Sequence, residues 1–88
     1  YILKRMKTKR RKRLHLYLLN DDENTFEHVT STLMNSCDHN YFQACQCAHL
    51  VHTTGRAEVK SGFVPEIFAI YLQLTQFGLN VELRKRKL

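Results

Sequence analysis

No apolar run in this 88-residue sequence approaches the ~20 residues that a membrane-spanning helix needs, so no such span is expected. No secretory signal is expected either: Tyr1 to Leu3 is too short for its apolar region, and basic residues follow it instead of preceding it. Cysteines are too few for a disulfide framework. Cys37, Cys45 and Cys47 cannot all pair within one chain, and their spacing follows no scaffold pattern, which points to reduced thiols and a cytoplasmic protein. Internal repeats, long linkers and, outside the two ends, low-complexity segments are absent as well. A chain this short makes one domain at most, with a core too small to hide a deep catalytic cavity. These absences favour a binding module that needs no cofactor over an enzyme.

What is present is charge, unevenly spread. The formal net charge is +6, but eight basic residues lie between Lys4 and Arg13 and four between Arg84 and Lys87. Only Arg56 and Lys60 lie between those clusters, along with all eight acids, from Asp21 to Glu82. An acidic body therefore stands between a basic N-terminal tail (1–14) and a basic C-terminal tail (84–88), with the domain over 15–83. Basic tails hold phosphates or acidic surfaces without reading sequence. Neither tail interleaves aromatics for base stacking, so a solvated end is the plainer reading and nucleic acid is not the expected partner.

Hydrophobic periodicity gives the element order. His15 to Leu19 is short and strongly apolar, suited to the central strand of a small sheet, and Asn20 to Asn24 ends it with five polar residues. Asn24 followed three residues later by Glu27 has the form of a capping box. It predicts a helix over Thr25 to Cys37 with Phe26, Val29, Leu33 and Cys37 inward. Asp38 or Asn40 caps a second helix that ends before Gly55, whose inward face reads Tyr41, Ala44, Cys45, Ala48, Val51 and His52. Arg56 to Ser61 reads as a half-exposed strand that Gly62 ends. Pro65 and Glu66 mark the first turn of a third helix with Ile67, Phe68, Tyr71, Leu74 and Phe77 buried. Leu79, Val81 and Leu83 alternate with polar residues as a closing strand. The expected fold class is α+β: one small domain, β-α-α-β-α-β, with a three-stranded antiparallel sheet packed against three helices.

Two clusters invite a chemical reading. Cys45, Cys47, His49 and His52 crowd possible metal ligands into eight residues, but cysteines two apart on a helix face different ways, and zinc needs convergent ligands. No metal site is expected, and no cysteine stands at an exposed helix start where it would become a nucleophile. Asn20-Asp21-Asp22 is by itself a strand end running into a polar turn, with carboxylates placed favourably before a helix. The histidine that closes the second helix's stripe is, taken alone, a boundary histidine.

Read together, however, Leu18-Leu19-Asn20-Asp21-Asp22, Glu27 and Val29, then Val51-His52 and Gly55-Arg56, resemble the Clp protease adaptor family, ClpS. The resemblance covers Leu16 to Leu83, with uninterrupted spacing from Asn20 to His52 and one inserted residue in the second strand. It implies a small α/β fold and a non-enzymatic adaptor. Such an adaptor binds proteins whose first residue is Phe, Leu, Tyr or Trp (N-degrons) and hands them to a Clp ATPase and protease. By position it assigns the α-amino group to Asn20, Asp22 and His52, with Asp21 beside them. Strand alternation prefers Asp22 to Asp21, because Asn20 and Asp22 would point to one side. An ammonium offers three donors, which an amide oxygen, a carboxylate and a neutral imidazole can accept together. The side-chain pocket maps onto Leu18, Leu19, Asn24, Phe26, Val29, Ala48, Val51 and Leu79. Glu66 matches an acidic residue that contacts the N-terminal domain of the ATPase.

The sequence departs from the family at Phe26 and Ala48, where methionines are usual, and at Asn24 and Thr25, which replace a threonine and a proline. A larger residue opposite a smaller one conserves volume, the tolerated kind of exchange. Tyr71 stands near the position of a family lysine. The rival readings are a ribosome-associated or nucleic-acid-binding module that uses the basic tails, and an adaptor whose pocket Phe26 occludes. The expected state is a monomer, although Tyr1 is itself a candidate first residue for a neighbour's pocket.

Overall fold

A computed structural model of the chain describes residues 12–86. The first strand, β1 (Arg13–Leu19), sends Leu16 and Leu18 into the core and lies at the centre of the sheet. It pairs antiparallel with β2 (Arg56–Phe63) on one side and β3 (Val81–Arg84) on the other, giving the order β2-β1-β3. Between them run α1 (Phe26–Ser36), α2 (Tyr41–Thr54) and α3 (Val64–Gln76). The order β-α-α-β-α-β and the α+β class follow the expectation. Arg13 and Leu14 at one end and Arg84 at the other belong to strands and not to the tails. Tyr1 and most of the basic N-terminal segment lie outside the described residues.

The β1–β2 register passes from Leu16 opposite Lys60 to Tyr17 opposite Glu58, leaving Val59 as an extra residue in β2. Such a bulge frees a backbone carbonyl from the ladder. His39, in the turn between α1 and α2, donates from Nε2 to that carbonyl of Val59 at 2.8 Å. α3 packs across all three strands and α2 against β2 and α1. Leu16, Leu18, Leu33, Ile67 and Leu74 are fully buried where these layers meet.

Several local expectations are corrected. α1 is capped by Thr25, whose Oγ1 accepts from His28 N at 3.1 Å, and not by Asn24 with Glu27. Asn24 is engaged elsewhere, so its side chain is not available to the helix start. The capping box lies instead at α2. There Asn40 Oδ1 accepts from Gln43 N and Asn40 N donates to Gln43 Oε1. The buried face of α2 is Ala44, Ala48 and Val51 with Cys47 half-buried, whereas Tyr41 in the first turn and His52 are exposed. Two alanines on the inner face let the helix approach its neighbours closely. Phe26 is 50% exposed, and Phe68 and Phe77 also stand largely in solvent, so the stripes of α1 and α3 are narrower than periodicity implied.

Gly62 does not end β2, which continues to Phe63. A Cβ on Gly62 would lie 3.2 Å from Glu66 Oε1 and 3.4 Å from Ile67 Cδ1, so its bare backbone admits the first turn of α3. Pro65 sits in that turn, where a missing N–H costs the helix nothing.

Candidate functional site

Where β1 leaves the sheet, the chain is fastened to both of its neighbours. Leu19 N donates to Asn80 O at 2.8 Å and Asn20 N to Gly55 O at 3.0 Å. Gly55 ends α2 in the left-handed conformation (φ 96°), and its own N–H returns to Val51 O. The polar end of β1 is thereby held beside the last turn of α2, which carries His52. A helix C-terminus presents partial negative charge, so this junction favours a cation even before the carboxylates are counted.

Next to it opens a cavity of about 130 Å³. β1 lines it with Leu18 and Leu19, the loop with Asn20, Asp21 and Asn24, and α1 with Phe26 and Val29. Ala48, Val51 and His52 come from α2, and Leu79 from the approach to β3. The lining combines apolar side chains with an amide, a carboxylate and an imidazole. All the residues assigned to the side-chain pocket are thus gathered at one cavity, which Asn20, Asp21 and His52 also line.

Asp22 and Glu66 stand apart from it. Asp22 is exposed in the bend after the strand, because β1 ends at Leu19 and strand alternation does not reach the acids. Asp21 is the acid at the rim. Its Oδ1 accepts from Glu23 N and Asn24 N, both at 2.9 Å, and its Oδ2 from Asn24 Nδ2 at 2.9 Å. Burial acts to raise the pKa of this carboxyl, but the bonds from the Asn24 backbone, the Asn24 side chain and the Glu23 backbone outweigh it and hold the value below the usual one. Three accepted bonds leave a carboxylate, with about four lone-pair sites, room for one more donor. Glu66 is exposed in the first turn of α3.

Two supports of the pocket had no signal in the sequence. Asn24 Nδ2 also donates to Gly78 O at 3.0 Å, and His28 Nε2 donates to Phe77 O at 2.8 Å. Both span about fifty residues of chain, beyond the reach of any local pattern.

Elsewhere, a larger and more open groove of about 510 Å³ runs beside α2 and β2, past Phe42, Leu50 and Ala57. It borders Glu58, already paired with His15 at 2.9 Å, and assembles no converging set of acceptors. No three potential metal ligands come together among the described residues. Burial pushes the Cys37 thiol up to about 11, against the opposing charge of Lys60 and with a smaller push from Cys47, and it raises Cys47 as well. That is the reverse of what activates a thiolate. No helix among the described residues is long and apolar enough to cross a membrane.

Comparison with known proteins agrees with this geometry. The structure of Agrobacterium tumefaciens ClpS2 bound to L-phenylalaninamide superposes with a TM-score of 0.81 at 21% identity, covering 85% of this chain and 98% of that one. At that identity the likeness speaks for the fold. No curated protein matches the chain at a significant level. The family of the ATP-dependent Clp protease adaptor protein ClpS matches residues 9–81, from the basic segment through the start of β3. The chain accordingly belongs to the ClpS family, a family of adaptors and not of enzymes.

Proposed function

We propose that the protein captures polypeptides that begin with a large hydrophobic residue and presents them to a Clp ATPase and its protease. One observation carries this reading: a single cavity of side-chain size is lined both by apolar side chains and by the cation acceptors Asn20, Asp21 and His52. The free α-amino group would be accepted by Asn20, Asp21 and His52, with the neighbouring charge of Asp22 adding to the field. The first side chain would fill the space between Leu18, Val29, Ala48, Val51 and Leu79, under Phe26. A cavity of roughly 150 Å³ is known to admit a benzene ring, so about 130 Å³ suits Phe and Leu. Trp would require Phe26, half exposed at the rim, to move. L-phenylalaninamide, the ligand of the Agrobacterium protein, offers the same pair of groups, a benzyl side chain and a free α-amine.

Each hydrogen bond to a charged group contributes about 1.5–3 kcal/mol and burial of the side chain about as much again. After the cost of association an affinity of micromolar order follows, and neither half suffices alone. For delivery, Glu66, exposed in the first turn of α3, is the acidic contact for the ATPase N-terminal domain.

Titration with labelled peptides that begin with Phe, Leu, Tyr, Trp or Met, beside an N-acetylated Phe peptide, tests the reading. Phe and Leu should bind best, and acetylation should weaken binding roughly tenfold or more, the worth of one charge-assisted hydrogen bond. Equal binding of the free and acetylated peptides would overturn it.

A further inference from the structure

Phe26 and Leu79 line the same cavity from segments that are distant in sequence. Two hydrogen bonds tie those segments together. His28 Nε2 donates to Phe77 O at 2.8 Å, and Asn24 Nδ2 donates both to Gly78 O at 3.0 Å and to Asp21 Oδ2 at 2.9 Å. Both accepting carbonyls lie at the C-terminal end of α3, where a helix leaves acceptors without partners of its own. Phe77 is the C-cap, and Gly78 turns the chain with φ 87° into Leu79. Asn24 and His28 flank the start of α1 and bracket Phe26, so the donors sit on either side of one wall and the acceptors immediately before the other.

We propose that Asn24 and His28 form a clasp that sets the Phe26–Leu79 spacing and so selects the size of the first residue, Asn24 also orienting Asp21 at the rim. Both are positioning residues that act through Phe26, Leu79 and Asp21. The proposal rests on the reading of this cavity as the seat of a peptide's first residue. Donor chemistry makes it specific. Gln at position 28 retains an N–H donor of comparable reach, whereas Asp at position 24 matches Asn in shape but cannot donate and would face Asp21 and a carbonyl.

The test compares the wild-type protein with His28→Ala, His28→Gln, Asn24→Ala and Asn24→Asp, using peptides that begin with Phe, Leu and Trp. Both alanine variants and Asn24→Asp should shift the Phe-to-Trp affinity ratio toward Trp by about threefold to tenfold, the worth of one neutral hydrogen bond. His28→Gln should restore the wild-type ratio. Without peptide, the Gly78 and Leu79 amides should exchange with solvent faster in the alanine variants. If Asn24→Ala does not fold, the His28 pair decides. Unchanged ratios in folded alanine variants, or unchanged exchange at Gly78 and Leu79, would overturn the clasp and leave the pocket reading standing. A wild-type protein that binds free and acetylated peptides equally would overturn both.

Discussion

Asp21 and His52 both line the cavity, and the carboxylate of Asp21 is held charged by the bonds it accepts. The folded-state pKa of Asp21 is lowered, so the stability it contributes is present above its unfolded value and is lost only as pH falls through the lower, folded one. Down to about pH 5.5 the carboxylate remains charged, well above the ordinary aspartate value near 3.9. His52→Ala should bind a Phe-initial peptide roughly tenfold or more weakly, the worth of one charge-assisted hydrogen bond, read by fluorescence anisotropy at constant ionic strength. An unchanged affinity in the variant would remove His52 from the site. At this scale the sequence offered two adjacent acids and a rule for choosing between them. That rule assumed a strand continuing past Leu19, and the loop instead turns Asp21 to the rim.

The connections between elements decide where those residues stand. Gly55 ends α2 with φ 96° and gives its carbonyl to Asn20 N, so one residue closes the helix and anchors the loop. A Cβ there meets no atom within 4 Å, which leaves backbone conformation as the whole cost of adding one. Gly55→Ala should lose about 1–2 kcal/mol, or several degrees in Tm for a domain of this size. Thermal unfolding followed by circular dichroism checks it, and an unchanged Tm would contradict the left-handed turn. The glycine was legible because this conformation has few other occupants. The start of α1 was not, since Asn24 and Thr25 are both good caps, and Asn24 is drawn away by Asp21 and by the carbonyl of Gly78, far along the chain.

Across the whole molecule, charge divides between an acidic body and basic ends. Lys12 O accepts from Val64 N, and Arg13 stacks its guanidinium over Phe63 at 5.3 Å, so both belong with the sheet. Removal of residues 1–11 should leave peptide affinity within about twofold, because the pocket does not draw on those basic residues, whereas the rival nucleic-acid reading requires a salt-sensitive binding to RNA that this removal abolishes. Filter binding at two salt concentrations, beside the peptide titration, measures both, and peptide binding lost with the tail would contradict the separation. The hydrophobic periods, the turn residues and the polar stop after Leu19 were enough to determine six elements, their order and a central β1, because each depends on neighbours in sequence. The Asn-Asp-Asp turn with its distant Val-His pair also carried the family. What tertiary structure alone decided was the bulge at Val59, the exposure of Phe26, the presence of Asp21 and not Asp22 in the cavity lining, and the bonds from Asn24 and His28 to the α3–β3 turn. Each of these turns on a contact between residues far apart in the chain, made only when helices and sheet close on one another.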